Sequence, residues 1–232
     1  MSTTDFNSPV LANWRSAAGA SWEQYVDHQF VRGLGDGSLP RSVFIAYLIQ
    51  DYLFLIHYSR VWSMAVVKSE TVEQMRAAAA TVNALINQEI QLHINVCKRE
   101  GIPEAALMQA REENENLAYT RYVMDVGLNG DLLDLLAALS PCVFGYAEIG
   151  ARLADCHDTS ALYREWIDTY HCEEYDSLCT SVAQLVEQVA LSRLGEIPQS
   201  SPRWAGLCQR FETATRLEAS FWSMAFRLGK LD

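Results

Sequence analysis

Apolar residues recur every three or four positions through almost the whole chain, which is the spacing of helices that bury one face. This pattern predicts helical segments at 10–29, 40–68, 71–99, 103–127, 131–155, 160–190 and 202–228. Turn-forming stretches such as GLGDGSLP (33–40) and LGEIPQSSP (194–202) separate them. No alternating strand pattern longer than four residues competes with the helices. We therefore predict an all-α, single-domain bundle of about seven to eight helices over residues 1–232.

One acid interrupts the apolar face of the helix predicted over 40–68. In YLIQDYLFLIHYSRVW (47–62), Leu48 and Leu55 lie on the inward stripe, and Asp51 falls between them at helical spacing. Charged side chains on buried faces are usually paired, because an unpaired buried charge is costly. Pairing with another side chain is therefore one interpretation of Asp51, and a place in a binding pocket is the other.

A second unusual group lies in DLLDLLAALSPCVFGYAEIGARL (131–153), where Cys142 and Tyr146 are four residues apart and share one helix face. Pro141 removes a backbone hydrogen bond, so we expect it to kink or break the helix just before the cysteine. We expect Gly145 to leave room beside the thiol for a flat ligand. This setting favours a cysteine nucleophile, and the alternative is an inert buried cysteine.

Glu218 is the third reactive group on an apolar stripe, within FETATRLEASFWSMAFRLG (211–229). A bundle that brings a thiol and two carboxylates together, with Tyr119, Tyr146 and Tyr170 available, has a polar cavity. A carboxylate in an apolar pocket has a raised pKa and can act as acid and base, and it can activate a neighbouring thiol. The pattern alone therefore indicates a helical enzyme with a Cys/Glu/Asp pocket.

The composition of the chain limits the kinds of partner and the cellular compartment that we expect. The formal net charge of −11 and the pI of about 4.9 argue against nucleic acid, which binds basic surfaces. No apolar run of about 18 residues occurs, so we expect no membrane span. The start MSTTDFNSPV lacks the basic and apolar stretches of a secretory signal. Six cysteines without a C-x-x-C pair favour free thiols in a reducing cytoplasm and give no structural zinc site.

The sequence resembles a known family in six short stretches that keep their order along the chain. These are HQFVRGLGDGSLP (28–40), YLIQDYLFLIHYSRVW (47–62), EIQLH (89–93), LLAALSPCVFGYAEIG (135–150), YREWIDTY (163–170) and EASFWSMAF (218–226). Together they resemble the thiaminase II (TenA-type) proteins, helical enzymes of the haem-oxygenase-like fold. The resemblance implies a homotetrameric hydrolase that uses no metal or cofactor. It also implies cleavage of thiamine or an aminomethyl-pyrimidine, releasing hydroxymethylpyrimidine for thiamine salvage.

The same resemblance implies roles for particular residues. The family's nucleophile, its proton donor and acceptor and its four substrate contacts correspond, in that order, to Cys142, Glu218, Asp51, Tyr119, Tyr146 and Tyr170. One position departs from the family pattern, because relatives often carry a tyrosine that helps to activate the thiol where this chain has Phe54. Phe54 has no hydroxyl, so we expect thiol activation to be weaker or to fall to Tyr119 alone. The preferred substrate can also differ from that of the relatives that carry the tyrosine.

Other functions of the same fold remain open from the sequence. Glu89 and His93 are spaced for a metal, as in a di-iron oxidase, but Asp168 and His171 form the only similar pair. We expect Glu89 and His93 to be a buried hydrogen-bonded pair instead. His28 has the position of a haem ligand, but we expect it to cap or pack under the glycine-rich turn. The remaining alternative is a non-catalytic pyrimidine-binding or regulatory homologue.

Overall fold

The computed structural model describes residues 5–230, and this part of the chain is helical without a strand. The α-helices are α1 (Pro9–Ala18), α2 (Ala20–Val26), α3 (Gln29–Gly35), α4 (Arg41–Lys68), α5 (Val72–Ala84), α6 (Ile90–Arg99), α7 (Glu104–Gln109), α8 (Asn114–Asn129), α9 (Leu132–Leu153), α10 (Ala161–Tyr170), α11 (Glu173–Leu194) and α12 (Trp204–Leu228). A π-helical turn (Leu85–Glu89) joins α5 to α6, and a short 3₁₀ turn (Pro198–Ser200) precedes α12. The predicted all-α fold is confirmed.

Several predicted segments are divided by local breaks. The segment 10–29 becomes α1 and α2, separated at Gly19 with φ +50°, followed by the start of α3. Segments 103–127 and 160–190 are each divided into two helices. Periodicity did not reveal these breaks, because the helices on both sides of a break pack their apolar faces on the same core.

His28 begins α3 as its N-cap. Its Nδ1 accepts a 3.2 Å hydrogen bond from the amide of Phe30, and its Nε2 lies 3.3 Å from the hydroxyl of Ser223. A side-chain acceptor at this position satisfies one of the unpaired amides at a helix start. The prediction that His28 caps this region is therefore confirmed.

Helix α9 lies at the centre of the bundle and contacts α4, α8, α10, α11 and α12. Among the described residues it is the one helix long and apolar enough to cross a membrane, with a mean hydropathy of 1.5, yet 94% of that apolar window is buried inside the protein. The central position explains this composition. Helix α9 also continues through Pro141, so the alternative that the proline breaks the helix is wrong. Packing on all sides holds the helix where one backbone hydrogen bond is missing.

Helix α9 starts at a well-defined cap. The side chain of Asp131 accepts from the amides of Leu133 and Asp134, and the carboxylate of Asp134 accepts from the amide of Asp131. Arg203, just before α12, pairs with both carboxylates at 2.8 and 2.9 Å. These bonds tie the first turn of α9 to the start of α12, the two helices that carry Cys142 and Glu218 further along.

Candidate active site

The six residues proposed for the site converge in one buried region, although they come from five different helices. Each has at most 7% of its surface exposed. Helix α4 carries Asp51, α8 carries Tyr119, α9 carries the cysteine and one tyrosine, α10 carries Tyr170, and α12 carries Glu218. Contacts within this region link them: Tyr119 to Glu218, Tyr146 to Tyr170, and Asp51 to Tyr146 through the hydroxyl of Tyr47, while the charges of Glu218 and Asp51 act on Cys142.

Glu218 lies between a phenol and the thiol. The hydroxyl of Tyr119 donates a 2.7 Å hydrogen bond to Oε1 of Glu218, and the Cys142 thiol is close enough to influence the pKa of this carboxyl. Burial raises the pKa of Glu218 to about 8, although the hydrogen bonds from Tyr119 and Cys142 oppose this shift. Glu218 therefore gains and loses its proton near neutral pH, as an acid–base group requires.

Cys142 is a neutral thiol at rest. Burial raises the pKa of the Cys142 thiol well above its ordinary value, and the charges of Glu218, Glu89 and Asp51 raise it further. A hydrogen bond with Tyr58 acts in the opposite direction. This thiol becomes a nucleophile only when an adjacent base takes its proton, and Glu218 is in position to do so.

Asp51 is held by two partners. The hydroxyl of Tyr47 donates to its Oδ2 at 2.9 Å, and Nε2 of His93 lies 2.7 Å from the same oxygen. Nδ1 of His93 lies 2.8 Å from the backbone carbonyl of Glu89. Both nitrogens of this buried ring therefore face oxygens. Since both contacts to Asp51 end on Oδ2, neither occupies Oδ1.

The contact with Asp51 determines the charge of His93. Burial by itself lowers the pKa of His93, but the hydrogen bond and charge of Asp51, together with the charge of Glu89, outweigh burial and raise it. Glu89 and His93 are hydrogen-bonded as expected, but through the backbone carbonyl of Glu89, and the acidic side chain that meets the imidazole is Asp51. His93 and Tyr47 are functional candidates that sequence reasoning missed, although His93 was visible as an inward-facing residue in EIQLH.

Glu89 pairs with a different residue, at the end of the π-helical turn. The hydroxyl of Tyr170 donates a 2.6 Å hydrogen bond to its Oε1. Burial and the nearby charge of Asp51 raise the pKa of Glu89 to about 7, although the bond from Tyr170 opposes this. Glu89 and Tyr170 also line a cleft of about 360 Å³ with Leu85, Gln88 and Tyr175. π-Helical turns are frequent at functional sites, and this one ends at Glu89, whose carboxyl contacts the site residue Tyr170.

Aromatic rings form much of the wall. The ring centroid of Tyr146 lies 4.7 Å from that of Tyr170, 5.7 Å from Trp166 and 5.6 Å from Trp222. The indole of Trp166 donates to the hydroxyl of Tyr47 at 3.1 Å. Such rings suit a flat aromatic ligand, because they stack on it while their polar atoms stay hydrogen-bonded to each other.

One expectation about the surroundings of the thiol is wrong. The space beside Gly145 is not left for a ligand, because the ring of Tyr25 fills it. A Cβ at position 145 would lie 2.6 Å from both Cζ and the hydroxyl oxygen of Tyr25. That hydroxyl is buried without a hydrogen-bond partner, which makes Tyr25 another neighbour of the site.

The metal-binding alternative finds little support in the arrangement of donors. Asp168 is exposed and lies 3.6 Å from Arg164, one turn away on α10. Within residues 5–230, no three His, Cys, Asp or Glu side chains are grouped to hold a metal ion. A larger surface cleft of about 730 Å³ is lined by residues such as His28, Arg32 and Arg216 and includes none of the six site residues. The chemistry-bearing groups lie instead in the interior.

Comparison with known proteins identifies the family of this chain. The family described as TENA/THI-4/PQQC matches residues 15–228. An aminopyrimidine aminohydrolase from Halalkalibacterium halodurans is 37% identical over 207 residues, which are 88% of this chain and 90% of that protein. The crystal structure of a TenA family transcription regulator from Silicibacter sp. TM1040 is 52% identical, with a TM-score of 0.93 over 97% of this chain and 99% of that chain.

A more distant structure defines the fold. A domain of unknown function with a heme oxygenase-like fold from Shewanella denitrificans superposes with a TM-score of 0.71 at 10% identity, over 95% of this chain and 94% of that chain. Such low identity speaks for shared architecture only. The family match over residues 15–228 and the 37% identical relative rest on the amino-acid sequence as well. The chain therefore belongs to the TENA/THI-4/PQQC family.

Proposed function

We propose that this protein is an aminopyrimidine aminohydrolase of the thiaminase II type. It cleaves the bond between the methylene carbon on a 4-amino-2-methylpyrimidine ring and its leaving group, and it releases hydroxymethylpyrimidine for thiamine salvage. The observation that carries the proposal is the burial of Cys142 and Glu218 in one site, where Tyr119 donates to the Glu218 carboxyl at 2.7 Å and burial raises the pKa of Glu218 to about 8. The relative from Halalkalibacterium halodurans, an aminopyrimidine aminohydrolase, supports the reaction class.

The first half of the reaction forms a covalent adduct. Glu218 in its ionised form takes the proton of Cys142, and the thiolate adds to a carbon of the electron-poor ring. The ring electrons then expel the leaving amine from the adjacent methylene. Glu218, now protonated, donates its proton to that amine as it departs. A group with a pKa about 8 suits both transfers near neutral pH.

The second half restores the enzyme. Glu218 is again ionised and takes a proton from water, which attacks the exposed methylene carbon. The electrons return through the ring and break the bond to Cys142, and the proton on Glu218 passes back to the sulfur. No step in this sequence requires a metal or a cofactor, because one side-chain nucleophile and one acid–base group account for every bond.

The remaining site residues orient the ring. Asp51 accepts from the amino group or a ring nitrogen through Oδ1, while Tyr47 and His93 hold its Oδ2. Tyr146 and Tyr170 stack on the ring or contact its edges, and Tyr119 holds Glu218 in place. The partner is thus a small aminopyrimidine or thiamine. We also propose that the protein acts in the cytoplasm as a homotetramer, as the family resemblance implies.

The test uses 4-amino-5-aminomethyl-2-methylpyrimidine and thiamine in parallel. We expect hydrolysis of the former to be much faster than that of the latter, and Cys142→Ser to lose several orders of magnitude. Cys208→Ser is the matched control, since Cys208 is a free, half-buried thiol outside the site, and it should keep wild-type turnover. Unchanged turnover in Cys142→Ser would refute the nucleophile assignment.

A regulatory role is the second candidate. It is favoured by the name of the 52% identical relative, a TenA family transcription regulator. The net charge of −11 disfavours direct contact with DNA. Such a protein would bind the pyrimidine without turning it over. Binding by calorimetry without ammonia release in the wild type would therefore select this candidate over the hydrolase.

A further inference from the structure

Tyr58 and Phe54 lie on the same face of α4, and this face is turned towards the helix that carries Cys142. The two residues are four apart on α4, so they are neighbours on the helix surface. Their rings stack, with centroids 5.1 Å apart and an interplanar angle of 24°. The ring of Phe54 also lies 4.9 Å from that of Tyr119. Phe54 is therefore an apolar surface between phenols, and the hydroxyl on this face of α4 comes one turn later.

The Tyr58 hydroxyl is buried against the cysteine-bearing helix. It donates a 2.7 Å hydrogen bond to the backbone carbonyl of Leu139, which lies three residues before Cys142 on α9. Because Leu139 and Cys142 are three residues apart on α9, this bond holds the Tyr58 hydroxyl within one helical turn of the thiol, and the two side chains influence each other's pKa. Only 1% of the Tyr58 surface is exposed, so no solvent is available to replace this donor.

Four other phenols of the site donate their protons to acceptors other than the thiol, whereas the buried hydroxyl of Tyr25 has no hydrogen-bond partner. The hydroxyl of Tyr119 donates to Glu218, that of Tyr170 to Glu89, and that of Tyr175 to the carbonyl of Val143. Tyr47 donates to the carboxylate of Asp51. Each of these acceptors except Val143 is a carboxyl group, which binds a phenol proton more strongly than a backbone carbonyl does. The proton of Tyr58 is therefore easier to redirect than the protons of Tyr119, Tyr170 and Tyr47.

We infer that Tyr58 stabilises the thiolate of Cys142 by turning its hydroxyl from the Leu139 carbonyl to the sulfur when Glu218 removes the thiol proton. The movement is a rotation about one C–O bond, and no covalent bond forms or breaks in Tyr58. A hydrogen bond to an anion is stronger than one to a neutral carbonyl, so the rotation is favoured only while the sulfur is charged. This inference deepens the proposed function and rests on it.

Such a donor matters because the site is rich in negative charge. The charges of Glu218, Glu89 and Asp51 all oppose ionisation of the thiol. The imidazole of His93 is engaged with Asp51 at 2.7 Å. A neutral donor in contact with the sulfur therefore carries much of the stabilisation of the thiolate. The Tyr58 hydroxyl thereby explains how Cys142 is activated although position 54 carries a phenylalanine. Tyr58 acts through Cys142 and is a positioning residue in this reaction.

The test is Tyr58→Phe, which removes one oxygen and keeps the ring on Phe54. The pH dependence of Cys142 alkylation by iodoacetamide is followed on the Cys142 peptide by mass spectrometry, together with kcat and KM. We expect the alkylation midpoint to rise by about one pH unit and kcat at pH 7.5 to fall about tenfold, with KM changed less than twofold. A role confined to packing would move neither the midpoint nor the split between kcat and KM.

Tyr163→Phe is the matched control. Tyr163 is also buried and also donates to a backbone carbonyl, that of Leu39 at 2.6 Å, away from the thiol. It should leave the Cys142 midpoint and kcat unchanged. A second variant carries 3-fluorotyrosine at position 58, which keeps the hydroxyl and makes it a stronger donor. Here the midpoint should fall below that of the wild type.

An unchanged midpoint in both position-58 variants overturns the inference, whatever the activity of the protein. A shifted midpoint in a wild type that hydrolyses neither substrate would support the role of Tyr58 while rejecting the proposed function. If the wild type hydrolyses the substrate but Tyr58→Phe leaves the alkylation midpoint unchanged, the proposed function is supported and the role of Tyr58 is rejected. The two claims are thus tested by different readouts.

Discussion

The hydroxyl of Tyr119 donates a 2.7 Å hydrogen bond to Oε1 of Glu218, and this bond links α8 to the acid–base group on α12. It stabilises the ionised form of a carboxyl whose pKa burial raises to about 8. The strength of the general base therefore depends on a residue that needs no contact with the thiol.

Tyr119→Phe should move the pH dependence of the reaction. Losing this bond raises the pKa of Glu218 further, because the charged form loses a donor. The acid limb of kcat/KM, which requires ionised Glu218, should shift to higher pH by about 0.5–1 unit. The measurement is a pH–rate profile. Tyr122→Phe on the same helix is the control, since Tyr122 donates to the carbonyl of Arg210 instead, and its profile should match the wild type.

Glu218→Gln should abolish turnover and stabilise the protein. The pKa of Glu218 lies near 4.5 in the unfolded chain and about 8 in the folded one, so folding favours the neutral form. The unfolded state ionises first as pH rises, and the wild type therefore loses stability between about pH 4.5 and 8. Glutamine has no charge to bury and avoids this loss, for which roughly 5 kcal/mol is the ceiling.

Thermal unfolding at several pH values tests this expectation. The Tm advantage of Glu218→Gln should be near zero at pH 4.5 and largest at pH 8 and above. Glu212→Gln, on the same helix and half-buried, serves as the control and should show little pH-dependent difference. A Tm advantage of Glu218→Gln that is constant with pH would contradict the assignment of Glu218 as a buried carboxyl with a raised pKa.

His93→Gln should weaken substrate binding more than it slows chemistry. The imidazole holds Oδ2 of Asp51 at 2.7 Å, and without it the carboxylate lacks its cationic partner and its fixed orientation. We expect KM to rise about tenfold, equivalent to roughly 1.4 kcal/mol, with a smaller fall in kcat. The double variant with Asp51→Asn should lose less than the sum of the single losses, because the two residues act as a pair.

The control for this experiment is His57→Gln on the outer side of α4. His57 pairs with Glu112 at 3.0 Å near the surface, where ion pairs contribute little. Its KM should remain that of the wild type. Equal effects of the two histidine variants would remove His93 from the site.

Gly145→Ala should damage the site through packing. A Cβ there meets Cζ and the hydroxyl of Tyr25 at 2.6 Å, and this fully buried ring has no room to retreat. We expect a loss of about 1–3 kcal/mol in unfolding free energy with reduced activity, measured by denaturant unfolding and turnover. Gly206→Ala in α12 is the control, since its Cβ would meet only the flexible end of Arg210 at 3.2 Å. This control should be neutral or slightly stabilising.

Phe54→Tyr tests whether the hydroxyl absent at this position limits the reaction. If thiol activation were limited by it, the rate would rise. Since the Tyr58 hydroxyl already lies within one helical turn of the thiol, we expect less than a twofold change in kcat. The same substitution in the Tyr58→Phe background should recover part of the lost rate. A large rise in the single variant would show that Tyr58 is an insufficient donor.

The helical class and the candidate positions Asp51, Cys142 and Glu218 could be derived from residue spacing, because burial of one helix face imposes a 3.6-residue period on each segment separately. Charged or reactive groups on such a face are visible in one segment at a time. The helix break at Gly19 and the continuity of α9 through Pro141 were not visible. At Gly19 the positive φ of +50°, which glycine adopts readily, ends α1, whereas at Pro141 the packing of α9 in the core keeps the helix continuous.

The partners of these groups depended on the tertiary structure alone. Asp51 meets His93 across 42 residues, Tyr119 meets Glu218 across 99, and the hydroxyl of Tyr58 reaches α9 across 81. Periodicity says that a side chain points inward, but it carries no information about which inward-facing residue of another helix it meets. That choice is made by the rotation and crossing of packed helices. It pairs the carboxyl of Glu89 with Tyr170, fills the space at Gly145 with Tyr25, and places the hydroxyl of Tyr58 within one turn of Cys142.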